Sequence, residues 1–261
     1  MSDCSSATVA ILLAYNGAPF HGFARQEGCR TVQGELESAL ETLAHRRIET
    51  VGAGRTDAGV HATGQVVSAT IPASLLEAGD RVVASLNALT PPAMVVRGVS
   101  RADDSFNARF DARARTYLYR IAQTPGPPVF MAPYCWYIAE SLESEAMQKG
   151  ADRLIGEHDF SSFCVARSAR DLLEQDRSTS REITAITCDY EEIMGERMLT
   201  VTVAGNAFLH SMVRVIVGTL VEVGRGARPL EWVDEVLKAR DRTQAGQTAP
   251  AQGLMLHHID Y

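Results

Sequence analysis

The chain has 261 residues, of which 46% are hydrophobic and 22% charged, with a formal net charge of −7. That length admits one large domain or two of ordinary size, and the composition is that of an ordinary soluble globular protein. The amino terminus, Met1-Ser2-Asp3-Cys4-Ser5-Ser6, lacks the basic region and apolar core of a secretory leader. The longest apolar-rich segment, Phe208 to Val223, contains His210, Arg214 and Glu222 and is too short to span a bilayer. Five cysteines at 4, 29, 135, 164 and 188 form no Cys-x-x-Cys pair and no metal spacing, which predicts reduced thiols in a cytoplasm.

In chain order, Thr8 to Tyr15 is predicted to be a buried strand. Thr31 is placed to cap a helix with Val32, Leu36, Ala39, Leu40 and Leu43 on one face. Ile48 to Val51 leads into a glycine-rich segment, from which Gly64 to Ile71 returns as a strand. Ser74 to Leu89 is predicted as one helix, ended by Thr90-Pro91-Pro92, and Met94 to Val99 as a strand. The first half is thus roughly β-α-β-β-α-β.

The second half repeats that outline without an obvious sequence repeat. Arg115 to Ala122 alternates, with Tyr117, Tyr119 and Ile121 on one face. Glu143 to Ile155 is predicted as a helix, and Ile183 to Tyr190 and Met198 to Ala204 as strands joined by a polar turn around Gly195. Helices follow over Phe208 to Val223 and Pro229 to Arg240, then a last strand over Leu254 to Ile259. Pro125 to Pro133 and Ala166 to Ser180 are predicted as long loops, suited to guiding a ligand or serving as surface insertions. The pattern predicts an α+β fold with sheets covered by helices, divided into halves at 1–104 and 105–261.

The segment most suggestive of chemistry is Gly52-Ala53-Gly54-Arg55-Thr56-Asp57-Ala58-Gly59-Val60-His61-Ala62, which sets an acid beside an arginine between glycines. No Gly-Lys-Ser/Thr follows, so it is not a P-loop, and a strand rather than a helix comes next, so it is not a dinucleotide fingerprint. A plain hairpin turn needs no Arg-Thr-Asp at its apex. On the apolar segment Phe208 to Val223, Arg214 lies among Met212, Val213, Val215, Ile216, Val217 and Leu220. It either snorkels, pairs with Glu222 or serves as a bidentate partner for a carboxylate.

The glycine-rich segment resembles the signature of the tRNA pseudouridine synthase A family, and the resemblance is carried over nearly the whole chain. Tyr15-Asn16-Gly17-Ala18-Pro19-Phe20-His21-Gly22-Phe23 and Thr31-Val32-Gln33-Gly34-Glu35-Leu36-Glu37 precede the segment. Phe106-Asn107-Ala108-Arg109-Phe110 and Arg115-Thr116-Tyr117-Leu118-Tyr119 follow it. Gly205-Asn206-Ala207-Phe208-Leu209-His210-Ser211-Met212-Val213-Arg214, Val217-Gly218-Thr219-Leu220 and Thr248-Ala249-Pro250-Ala251-Gln252-Gly253-Leu254 complete the set. The main departure is Phe23-Ala24-Arg25, where the family usually has Trp-Gln.

The resemblance implies the pseudouridine synthase fold: two related halves with joined mixed, largely antiparallel sheets flanked by helices, and an active-site cleft between them. It implies isomerisation of uridine at positions 38–40 of the tRNA anticodon stem-loop, by a cytoplasmic homodimer with no cofactor and no metal. Asp57 matches the catalytic carboxylate, Arg214 the arginine that orients it, and Tyr117 the tyrosine against the target base. Arg55 is read either as filling the gap left by a flipped nucleotide or as a phosphate contact. His61 is read as touching substrate or bracing the loop, and Asn206 as a turn and cap that also meets RNA. A sister synthase acting on other RNA sites and an RNA-binding module without chemistry are the competing readings.

The net charge of −7 runs against an RNA enzyme, but its distribution does not. Only Lys149 and Lys238 are lysines, so 23 of the 25 basic residues are arginines, whose planar fork suits phosphates. Arg97 to Arg120 holds six arginines against three acids, whereas Glu140 to Asp159 holds six acids against two cations. A basic cleft on an acidic body is expected.

Overall fold

The computed structural model describes residues 5–261, so Cys4 lies outside the described residues. The chain divides into two compact units, Met1–Arg113 with Leu256–Tyr261, and Ala114–Met255.

The first unit runs β1 (Ser6–Tyr15), α1 (Val32–Ala44), β2 (Thr50–Gly52), β3 (His61–Pro72), α2 (Ala73–Glu77), α3 (Asp80–Leu89) and β4 (Met94–Arg101). Strand β1 lies between β3 and β4, antiparallel to both, with Ile11 opposite Val67 on one side and Val99 on the other. Strand β2 pairs with β3. The apolar alternation of β1 puts Val9, Ile11 and Leu13 out of solvent, together with Val32, Leu36 and Leu40 of α1 and Leu86 of α3. Thr31 caps α1 as expected, its hydroxyl accepting the Gly34 N–H at 3.2 Å.

The single helix expected over Ser74 to Leu89 is two helices. Gly79, at φ +60°, breaks it, because a glycine enters the left-handed region at no steric cost and is a poor helix former.

The second unit runs β5 (Ala114–Ala122), β6 (Trp136–Tyr137), α4 (Ser144–Asp152), β7 (Gly156–Asp159), α5 (Ala166–Glu174), β8 (Ser180–Ile193), β9 (Glu196–Gly205), α6 (Met212–Gly224), α7 (Glu231–Ala239) and the start of β10 (Leu254–Asp260). Its strands are ordered β5-β9-β8-β7, all antiparallel, while β6 adds to β5 in parallel. The fold is α+β, with a mixed sheet and helices. The β8–β9 hairpin turns through Met194 and Gly195, both at positive φ, where the polar turn was expected. Helix α6 is buried almost along its whole length.

Two expectations in this unit need correction. Ala166 to Ser180 is not all loop, since α5 occupies Ala166–Glu174. Its residues are good helix formers, with Arg167 facing Asp171 at 3.9 Å, but only Ala169 is buried. Its apolar residues Ala166, Ala169, Leu172 and Leu173 do fall at helical spacing, but they are few and the stretch as a whole is strongly polar. Helix α6 begins at Met212 rather than Phe208, because Ser211 takes φ 60° and the Met212 N–H turns back to the Leu209 carbonyl at 3.1 Å.

Among the described residues no helix is long and apolar enough to cross a membrane, and the four cysteines are free thiols. Cys135, Cys164 and Cys188 are buried, and burial pushes their thiols up to about 11, about 11 and about 12.

Candidate active site

The acid–arginine loop spans the gap between the end of β2 at Gly52 and the start of β3 at His61. Ala53, Gly54, Thr56 and Val60 around Asp57 are each fixed by a hydrogen bond. The Ala53 N–H donates to the Val66 carbonyl at 2.9 Å. The fully buried Gln65 side chain donates to the Gly54 carbonyl at 2.7 Å and accepts the Gly54 N–H at 3.4 Å. Thr56 is buried, its hydroxyl 2.8 Å from that of Tyr15 and its carbonyl accepting the Phe23 N–H at 3.0 Å. A turn closes over Asp57, where the Val60 N–H donates to the Asp57 carbonyl at 3.1 Å.

Burial pushes the Tyr15 phenol up to about 12, against the lowering effect of hydrogen bonds with Thr56 and Gln65. Tyr15 therefore stays a neutral strut under the loop at any physiological pH. Asp57 itself is half-buried. Arg55, two residues earlier, is exposed, and among the described residues it makes no ion pair.

A second segment, residues 16–23, is laced against this loop. The Gly17 N–H donates to His61 Nδ1 at 3.0 Å, so a neutral His61 carries its proton on Nε2. His61 thus braces the loop, one of its two expected roles. A Cβ on Gly17 would lie 2.0 Å from the Val60 carbonyl oxygen. Gly22, at φ +92°, is equally closed, since a Cβ there would come 2.9 Å from the Thr56 carbonyl oxygen. The two backbones touch without intervening side chains. Gly17→Ala is expected to destabilise the fold by about 1–3 kcal/mol, the usual range for overpacking. Turnover should fall with it, because either the 16–23 segment or the Asp57 turn must move; urea unfolding and product formation on one preparation measure both.

Phe23, at the departure from the family pattern, is buried with its ring against Gly52, where a Cβ would meet the ring at 2.3 Å. Arg25 pairs with Glu37 at 2.9 Å. The departure therefore packs beneath the loop rather than disturbing it.

In the second unit, Arg214 stands on the first turn of α6, half-buried. Its Nε donates to the carbonyl of the fully buried Ala249 at 2.8 Å, and the Ala249 N–H donates to the Arg214 carbonyl at 3.1 Å. The 245–250 segment that supplies this clamp is itself fixed on α6 by the Gly246 N–H to Thr219 hydroxyl bond at 3.0 Å. Glu222, the alternative partner expected for Arg214, instead pairs with Arg225 at 3.4 Å.

Tyr117 lies on β5 with its ring edge-on to Phe208 at 5.1 Å. Tyr119, two residues on, is wholly buried and donates to the Pro250 carbonyl at 2.9 Å, the packing role expected of it. Asn206 is a structural cap: its Oδ1 accepts the Glu182 N–H at 3.1 Å, and its carbonyl accepts from Arg115 at 2.6 Å. Its side chain is exposed at that corner.

Of the expected site residues, Arg55, Asp57 and His61 belong to the first unit and Tyr117, Asn206 and Arg214 to the second. Tyr15, Gln65 and Ala249 were not anticipated as supports. Gln65 alone left a signal, as a polar residue at an inward position of an apolar strand.

The family model described as tRNA pseudouridine synthase matches residues 11–111 and 151–261, two segments that contain Asp57 and Arg214 but not Tyr117. The chain is 43% identical over 250 residues to tRNA pseudouridine synthase A of Brevibacillus brevis, covering 96% of this chain and 98% of that one. It is 41% identical over 257 residues to the protein of the same name from Pseudoalteromonas atlantica, covering 97% and 92%. A third, from Dictyoglomus thermophilum, is 40% identical over 251 residues, covering 95% and 97%. The chain belongs to the tRNA pseudouridine synthase family.

Proposed function

We propose that this protein isomerises uridine to pseudouridine at positions 38–40 of the tRNA anticodon stem-loop, as a homodimer in the cytoplasm. The observation that carries the reading is membership of the family over segments that include the rigidly held Asp57 loop. Free thiols and the lack of a membrane-crossing helix among the described residues suit the cytoplasm.

The reaction breaks the bond from ribose C1′ to N1, turns the uracil and joins C1′ to C5, which loses its proton while N1 gains one. Substrate and product are isomers, so no redox equivalent or energy-carrying nucleotide is consumed. Asp57 supplies the ionised carboxylate, by attack on C1′, attack on the base or removal of a ribose proton. Arg214 supplies the two-pronged donor that orients the carboxylate. Tyr117 offers a flat ring against the uracil while it turns.

A uridine in a stem is stacked and paired, so extruding it costs roughly a few kcal/mol. Arg55, exposed and without a counter-ion among the described residues, suits the vacated position or the displaced backbone. His61 and Asn206 complete the substrate-binding set. Mass-resolved mapping of pseudouridine in an unmodified tRNA transcript incubated with the protein tests the reading. Product at 38, 39 or 40 is expected. Product only outside the anticodon arm would make the protein a sister synthase, and tight binding without product would make it an RNA-binding module.

A further inference from the structure

The second unit carries two desolvated arginines that the proposed reaction does not use. Arg181 opens β8 opposite His158 of β7, and Arg242 follows α7 at the head of the short helical turn Arg242–Gln244. The segment 159–164 anchors both. The Phe160 N–H donates to the Thr179 carbonyl at 3.2 Å, and the Ser162 hydroxyl accepts the Asp241 N–H at 2.9 Å. Both guanidiniums act electrostatically on the buried thiol of Cys164 in that segment, opposed by the Asp159 carboxylate, which acts on it more strongly than either.

Neither arginine has a carboxylate partner among the described residues. Arg181 spends Nη1 on the Ser178 and Ser180 carbonyls at 2.9 and 2.6 Å, while its Nε is buried with no hydrogen-bond partner. Arg242 donates to the Thr248 hydroxyl at 2.9 Å. The neighbouring acids are committed elsewhere. Asp159 takes the Thr179 hydroxyl at 2.7 Å, the Ser161 N–H at 3.0 Å and Arg240 at 3.1 Å. Asp241 takes the N–H and hydroxyl of Thr243 at 2.9 and 2.8 Å. Burial lowers the pKa of both guanidiniums, and Arg177 lowers that of Arg181 further.

Arg181 and Arg242, with Arg177 and Arg240 close by, outnumber Asp159 and Asp241 and leave the cluster with an excess of positive charge. The planar forks suit a tetrahedral oxyanion better than a point charge would. We propose that Arg181 and Arg242, gathered around the 159–164 segment, bind one phosphodiester of the RNA backbone away from the target uridine. The inference rests on the proposed tRNA substrate. Because Arg242 also holds Thr248, next to the Ala249 that clamps Arg214, a phosphate there tightens the segment behind the reactive arginine.

Binding of fluorescein-labelled, unmodified tRNA is to be measured against salt for wild type, Arg181→Gln, Arg242→Gln and Arg181→Lys. Each neutral variant is expected to lower the slope of log K against log salt by about one, and Arg181→Lys to keep the wild-type slope. Arg242→Gln and Arg181→Lys keep the test open if Arg181→Gln fails to fold, which thermal unfolding reports. Slopes equal to wild type in both neutral variants overturn the site. So does a wild-type slope combined with loss of stabilisation by inorganic phosphate at constant ionic strength, which would assign the site to free phosphate. Wild type is assayed for pseudouridine in parallel: absence of product there counts against the proposed function, whereas product with unchanged slopes counts against this site alone.

Discussion

Asp57→Asn is expected to bind unmodified tRNA within a few-fold of wild type and to form pseudouridine at least about 10²–10⁴-fold more slowly, the range over which a positioned proton-transfer group contributes. The bonds that fix the loop explain why the two effects separate. They are made by the Asp57 carbonyl, by Thr56, by Gly54 and by His61, all of which an isosteric amide leaves in place. The variant thus removes a charge without removing a turn. Gel-shift affinity and single-turnover product formation, with thermal unfolding as the fold control, check it. Turnover near wild type would remove Asp57 from the chemistry and leave the loop as a binding element. Single-turnover conditions matter because product release can mask a slower chemical step.

What the sequence made legible was what has a local cause. The Thr31 cap and the Val32/Leu36/Leu40 face of α1 need only a hydroxyl and a 3.6-residue period, and the structure has both. The Asp57 loop was visible because charged residues between glycines have no cheap structural purpose. The break at Gly79 was missed because one glycine in an otherwise helical pattern does not reveal which helix it ends. Helix α5 was missed because its few apolar residues, although helically spaced, sit in a strongly polar stretch that reads as a surface loop. Apart from Gln65, the supports of the site were not legible. Tyr15 meets Thr56 across 41 residues and Arg214 meets Ala249 across 35, and no spacing rule connects such partners. Family resemblance pointed to Arg214 as a position, but only the coordinates show which backbone group holds its Nε.

That hold makes Arg214→Met the second decisive substitution. Methionine is long, flexible and at home on a helix buried almost along its whole length. It gives up the Nε bond to the Ala249 carbonyl, whose residue is fully buried. An acceptor left without that donor costs about 1–3 kcal/mol. The backbone bond from the Ala249 N–H to the Arg214 carbonyl and the Gly246–Thr219 bond both survive, so the 245–250 segment keeps its path. The protein should therefore fold with a modestly lower Tm. Turnover should nonetheless disappear, because no other group on that turn of α6 can present a two-pronged donor to a carboxylate. Arg214→Lys sharpens the expectation: it restores the charge but not the fork, so it should recover stability more fully than activity. Comparing Tm with single-turnover rate across Arg, Lys and Met at this position separates the roles. If rate merely tracks stability along the series, Arg214 is a packing residue; if Lys regains the Tm while the rate stays low, the geometry of the guanidinium is what the reaction uses.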